Sequence, residues 1–177
     1  IHRCESAGDS HVHLGQYLVE CPEGYVLIDA GEGNAEELVE TVRSLTDGSG
    51  VEAVILTHSI LPHTRNIEAI TDAWDETTVI GCVPNPAAVG LPEAEPSFTD
   101  EIESLGGAKF SFVDPLITDV VVSSWVYHHD SRTMFTAEGL GHYHAPGECG
   151  RVSAAYEDGI PREYVEAFAR DKLGSLE

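Results

Sequence analysis

The chain has 177 residues, 42% of them hydrophobic, which suits one folded domain with a buried core and excludes a disordered or fibrous class. It carries 31 acidic against 9 basic residues, a formal net charge of -22 at pH 7, and this repels nucleic acids and anionic membranes as partners. No apolar run reaches the roughly 18 residues of a membrane span, and Cys4, Cys21, Cys82 and Cys149 lie too far apart for a disulfide framework or a Cys-x-x-Cys site, so reduced thiols in a cytosol are expected.

In chain order, His11 and His13 precede the first clear strand and read as a solvated strand edge, with entry into a pocket as the open alternative. Gln16 to Glu20 and Tyr25 to Asp29 are apolar runs joined by a turn with Pro22 and Gly24, which predicts a β-hairpin. Asn34 with Glu37 three residues on starts an amphipathic helix, with Leu38, Val42 and Leu45 on one face and an end at Asp47-Gly48.

Val54 to His63 then reads Val-Ile-Leu-Thr-His-Ser-Ile-Leu-Pro-His, a buried strand running into two histidines five residues apart. A helix begins around His63 to Asn66, with Ile67, Ile70 and Trp74 on one face. The imidazoles thus stand at the carboxyl end of a sheet, where α/β proteins keep their ligands.

Thr78 to Cys82 predicts another buried strand, Pro84-Asn85-Pro86 ends it, and Leu91 to Glu103 reads as a surface excursion. Ala108 to Val113 and Val120 to Tyr127 predict strands. His128 to Ser131 turn the chain into Thr133 to Thr136, so His128 and His129 are expected to be exposed. His142 and His144 read as an incidental loop pair or as substitute ligands, and Cys82 and Cys149 as small buried hydrophobes. Pro161 opens a last helix with Tyr164, Val165 and Phe168 on one face.

Two of these segments carry a resemblance. Thr57-His58 to His63 resembles the Thr-His-x-His-x-Asp-His strand end of the metallo-β-lactamase superfamily, and within it the His-x-Glu-x-Asp-His form of the flavodiiron oxidase domain. Ser123 to Gly141 lies without a gap on the flavodiiron segment that ends Phe-Ser-Asn-Asp-Ala-Phe-Gly, here Phe135-Thr136-Ala137-Glu138-Gly139-Leu140-Gly141. The resemblance implies an αββα sandwich of α/β (α+β) class over residues 1–177, with a truncated C-terminal end as an open expectation. It also gives Asp29, at the close of the second strand, a supporting or structural role, with a plain polar strand terminus as the open alternative.

The same resemblance implies a metal site at His58, His63, Asp119 and Glu138, with Ile60 and Pro62 replacing two ligands by side chains that have no lone pair to donate. The expected function is a binding or sensory module, for oxygen or redox state, with a degenerate metal site. The alternative is a metallohydrolase, or an oxygen or nitric oxide reductase, with one iron, zinc or manganese in a rearranged mononuclear site. No FMN-binding loop is found within the chain, so a reductase would need an external electron donor; a homodimer is a further expectation from the family. The acidic, lysine-poor composition resembles that of cytoplasmic haloarchaeal proteins, with an ordinary acidic domain as the alternative.

Overall fold

A computed structural model describes residues 2–81, 86–91, 94–96, 102–117 and 123–173. Its strands, in chain order, are β1 (His2–Ala7), β2 (Ser10–Gly15), β3 (Tyr17–Cys21), β4 (Gly24–Ile28), β5 (Ala53–Ile55), β6 (Thr78–Gly81), β7 (Glu95–Pro96), β8 (Ile102–Leu105), β9 (Ala108–Val113), β10 (Trp125–His128), β11 (Thr133–Phe135) and β12 (Tyr143–His144). The α-helices are α1 (Ala35–Leu45), α2 (Leu61–Thr64), α3 (Ile67–Ala73) and α4 (Arg162–Lys172).

One sheet has the order β3-β4-β5-β6-β7, antiparallel at β3-β4 and parallel from β4 onward. A second, antiparallel sheet has the order β11-β10-β9-β8. Side chains alternate across a strand, so β4, β5 and β6 feed two cores. Val26, Ile28, Ile55 and Ile80 meet Phe110, Phe112 and Val126 of the second sheet. Leu27, Val54 and Val79 meet Leu38 and Val42 of α1 and Ile70 of α3 on the other face. Strands buried on both faces read as continuous apolar runs, which is why these were visible in the sequence.

Local chemistry sets the element ends. Asn34 Oδ1 accepts from the backbone N–H groups of Glu36 and Glu37 at 3.1 and 3.3 Å and caps α1. Leu38 and Val42 are buried as expected, but Leu45, the last residue of α1, is 55% exposed. The helix expected after His63 is two pieces, the single turn α2 and then α3, with Ile70 buried and Ile67 and Trp74 packed at the core margin.

The expected surface excursion at Leu91 to Glu103 instead enters two sheets, through β7 and through β8, which pairs with β9. Both lie at sheet edges, where one face and one side of the strand stay wet and little apolar patterning is required. The strand expected from Val120 begins, among the described residues, at Trp125; residues 118–122 and Cys82 lie outside them.

His128 corrects the expectation of an exposed turn residue. It is the last residue of β10, 3% exposed, stacked on Phe110 at 4.8 Å and sharing a 2.7 Å hydrogen bond with Ser131. The third sheet, β1-β2-β12, is antiparallel and joins the start of the chain to residues 143–144. Against β12 packs α4, whose Phe168 is buried beside Tyr143. Among the described residues no helix is long and apolar enough to cross a membrane.

Candidate functional site

Asp29 leaves the end of β4 with φ 60°, in the left-handed region, and its N–H donates to the Ile55 carbonyl at 2.8 Å. That geometry turns its carboxylate toward the end of β5. Oδ1 accepts from the Thr57 N–H at 2.8 Å, and Oδ2 accepts from the Thr57 hydroxyl at 2.6 Å. The α2 turn brings His63 to the same point, its carbonyl accepting from the N–H groups of Ala30 and Gly31 at 2.8 and 3.1 Å.

His63 lies between two carboxylates. Its Nδ1 is 2.9 Å from Asp29 Oδ2 and its Nε2 is 2.7 Å from Glu138 Oε1. Glu138 comes from the turn after β11, where Gly139 has no room for a Cβ against the Ile117 carbonyl and Trp125. Its other oxygen lies 3.7 Å from Nε2 of His58, whose ring is fully buried and stacks on His63 at 5.0 Å. Thus three of the four sequence-predicted residues, His58, His63 and Glu138, converge; Asp119 lies outside the described residues.

This geometry decides protonation. Burial pulls the His63 pKa down, but the Asp29 charge and hydrogen bond, joined by those of Glu138, outweigh it and raise it from 6.5 to about 10. Burial pushes Glu138 up, and the His63 hydrogen bond and charge, with a contribution from His58, overcome that and hold its carboxyl below the ordinary range. With carboxylate oxygens on opposite edges of one ring, the contacts and the raised His63 pKa together favour the imidazolium, which donates from both nitrogens.

A second cluster was missed in the sequence. His11 of β2 and His144 of β12 are direct cross-strand partners. Since side chains alternate, His11 with His13 and His142 with His144 share one face of this pair. His13 stacks on His144 at 4.2 Å, and its Nε2 donates to the Cys149 carbonyl at 2.8 Å. Cys149 Sγ lies 3.0 Å from His11 Nδ1.

Neither His-x-His pair is therefore a solvated or incidental feature, and Cys149 is a partly exposed thiol among imidazoles rather than a buried hydrophobe. Burial first, then the neighbouring His13, His142 and His11, lowers the pKa of His144. The signal was the pair of His-x-His patterns, but the pairing of β2 with β12 spans most of the chain and no local pattern announces it. A cavity of about 450 Å³ opens between the two clusters, lined by Asp29, His63 and Glu138 on one side and His13 and His142 on the other.

No protein-family model and no curated protein matches this sequence. Solved structures do. A mutant flavo-diiron protein from Thermotoga maritima superposes with a TM-score of 0.73 at 19% identity, covering 93% of this chain and 43% of that one. The flavodiiron protein from Giardia intestinalis gives 0.67 at 16% identity, over 94% and 41% of the two chains. A metallo-β-lactamase from Pontibacter korlensis gives 0.57 at 18% identity, over 77% and 71%. The chain has the metallo-β-lactamase fold. It spans 43% of the length of the Thermotoga protein, so the whole protein's activity does not transfer with the likeness.

Within the metallo-β-lactamase fold, the residues present do not fit a dinuclear metal centre of the kind the flavodiiron resemblance implies. Ile60 and Pro62 bring no donor atom, and both ring nitrogens of His63 are engaged by carboxylates. Among the described residues, the group of three His, Cys, Asp or Glu whose ligand atoms all lie within 4.8 Å of one another is His11, His144 and Cys149, outside that site.

Proposed function

We propose that this domain is a degenerate relative of the flavodiiron oxidase domain that works as a binding or sensory module, in an oxygen or redox setting, and not through metal chemistry at His58, His63 and Glu138. The observation that carries this reading is the engagement of both His63 nitrogens by Asp29 and Glu138. An imidazolium has no lone pair for a metal, and it supplies inside the fold the positive charge that the two carboxylates need. What remains is a cavity with Glu138 Oε2 buried and without a hydrogen-bond partner among the described residues, an acceptor for an N–H or O–H group of a small ligand. The acidic composition supports a place in the salty cytoplasm of a halophile.

The same Glu138 oxygen, without a hydrogen bond and 3.7 Å from His58 Nε2, favours one second reading: His58, His63 and Glu138 would hold a single iron, zinc or manganese, which would supply Lewis-acid or oxygen-binding chemistry there. Metal content separates the two. Protein free of affinity-tag histidines is analysed as wild type and as His58→Ala. The proposal expects no metal whose retention depends on His58; about one equivalent that vanishes in His58→Ala would replace the binding module with a mononuclear enzyme.

A further inference from the structure

The group formed by His11, His144 and Cys149 has no part in the reading above. We propose that it is a mononuclear site for a thiophilic divalent metal of the zinc class, held by two imidazoles and one thiolate. The ligand atoms come from three separate places: β2, its cross-strand partner β12, and the turn after Pro146–Glu148. All three atoms nevertheless lie within 4.8 Å of one another. Convergence of two nitrogen and one sulfur donor is the chemistry that selects zinc over hard cations, with the fourth position left to water or a small ligand.

The surroundings fix the donors. His144 is fully buried, so its ring cannot swing out to solvent. His13 stacks on it at 4.2 Å and anchors the Cys149 carbonyl at 2.8 Å, which holds the thiol-bearing turn against the two strands. Cys149 Sγ now sits 3.0 Å from His11 Nδ1 and 3.3 Å from the Pro146 carbonyl oxygen. In a tetrahedral zinc site, bond lengths near 2.0 and 2.3 Å set the nitrogen and sulfur about 3.6 Å apart. The metal therefore needs a separation of roughly half an ångström beyond the hydrogen-bonded one. On binding, the S–H bond breaks, the proton leaves to solvent, and the sulfur electron pair forms the metal bond.

A packing role alone gives no reason for this composition. Two imidazoles and a thiol crowd at one sheet corner with their donor atoms within 4.8 Å of one another. A bound cation turns that crowding into coordination. It would also tie β2 and β12 to the turn carrying Cys149, and so brace the wall of the cavity that His13 and His142 line.

The test uses the full chain without affinity-tag histidines, stripped by chelator and titrated with zinc and, separately, with cobalt(II). Expected are about one equivalent of zinc, a cobalt–thiolate charge-transfer band in the near ultraviolet, and protection of Cys149 from alkylation by zinc. Cys149→Ser should abolish the band and weaken zinc binding by on the order of a hundredfold or more, while keeping the circular dichroism of the folded chain. His11→Gln provides a second variant with the same expected loss.

Binding retained in His58→Ala and lost in Cys149→Ser supports the site. Failure of the stripped protein to bind zinc or cobalt would overturn it and leave the proposed function standing. Binding lost in His58→Ala but kept in Cys149→Ser would overturn both.

Discussion

At Asp29 the backbone sits at φ 60°, a conformation that asparagine tolerates and β-branched residues resist. Asp29→Asn therefore removes the charge with little backbone cost and leaves His63 beside a neutral amide. Breaking one side of a buried, hydrogen-bonded ion pair costs about 3 kcal/mol, so a chemical-denaturation midpoint well below wild type is expected; an unchanged midpoint would mean that His63 is not charged. The pH dependence follows from the same contacts. The His63 pKa is raised from 6.5 to about 10, so its contribution is complete below 6.5 and is lost as pH climbs through about 10. The Glu138 pKa is lowered from 4.5, so its contribution is present above 4.5 and is lost as pH falls through the folded value. The melting temperature of the wild type should thus decline from pH 6.5 toward 10, and Glu138→Gln should make that decline shallower. Parallel declines in the two proteins would count against the coupling. His58, His63 and Glu138 were legible as a constellation because the strand end and the Phe135 to Gly141 segment carry the resemblance. The role of Asp29 as the second carboxylate on His63 was not, since it depends on where α2 sets one ring.

Among the elements, β4, β5 and β6 were plain in the sequence because both faces are buried, and α1 because Asn34 caps it and Leu38 and Val42 repeat at helical spacing. Elements whose evidence is a distant partner were not: β8 is an edge strand with Ile102 at 59% exposure, and the β2-β12 pairing joins opposite ends of the chain. The docking of α4 is another contact at a distance. A Cβ on Gly141 would collide with the Phe168 ring, which is 1% exposed and lies against Tyr143, itself hydrogen-bonded to Asp171 of α4. Gly141→Ala should therefore loosen α4 and cost about 1–3 kcal/mol, read as faster hydrogen exchange over residues 162–172 with β4 and β5 unaffected. Equal exchange in both proteins would show that α4 does not rest on this glycine.

For the whole molecule, the net charge of -22 on a 177-residue chain is the dominant feature. At low ionic strength the acidic residues repel one another and oppose the compact state. Near 1 M salt the screening length falls to about 3 Å and that opposition fades. A melting temperature that rises steadily from dilute buffer to molar potassium chloride is expected; a flat or falling profile would remove the halophilic reading of the composition. The fold itself rests on matched apolar layers and survives 16–19% identity to flavodiiron structures, whereas the chemistry of the centre turns on a few side chains. The claim that joins these scales is that a protonated His63, clamped by Asp29 and Glu138, stands where the family resemblance puts metal. Nitrogen-resolved NMR of the imidazole side chains at pH 8, assigned by comparison with His63→Gln, tests it most directly. The account predicts that both ring nitrogens of His63 carry protons at that pH, while a His63 ring with one bare nitrogen would contradict it.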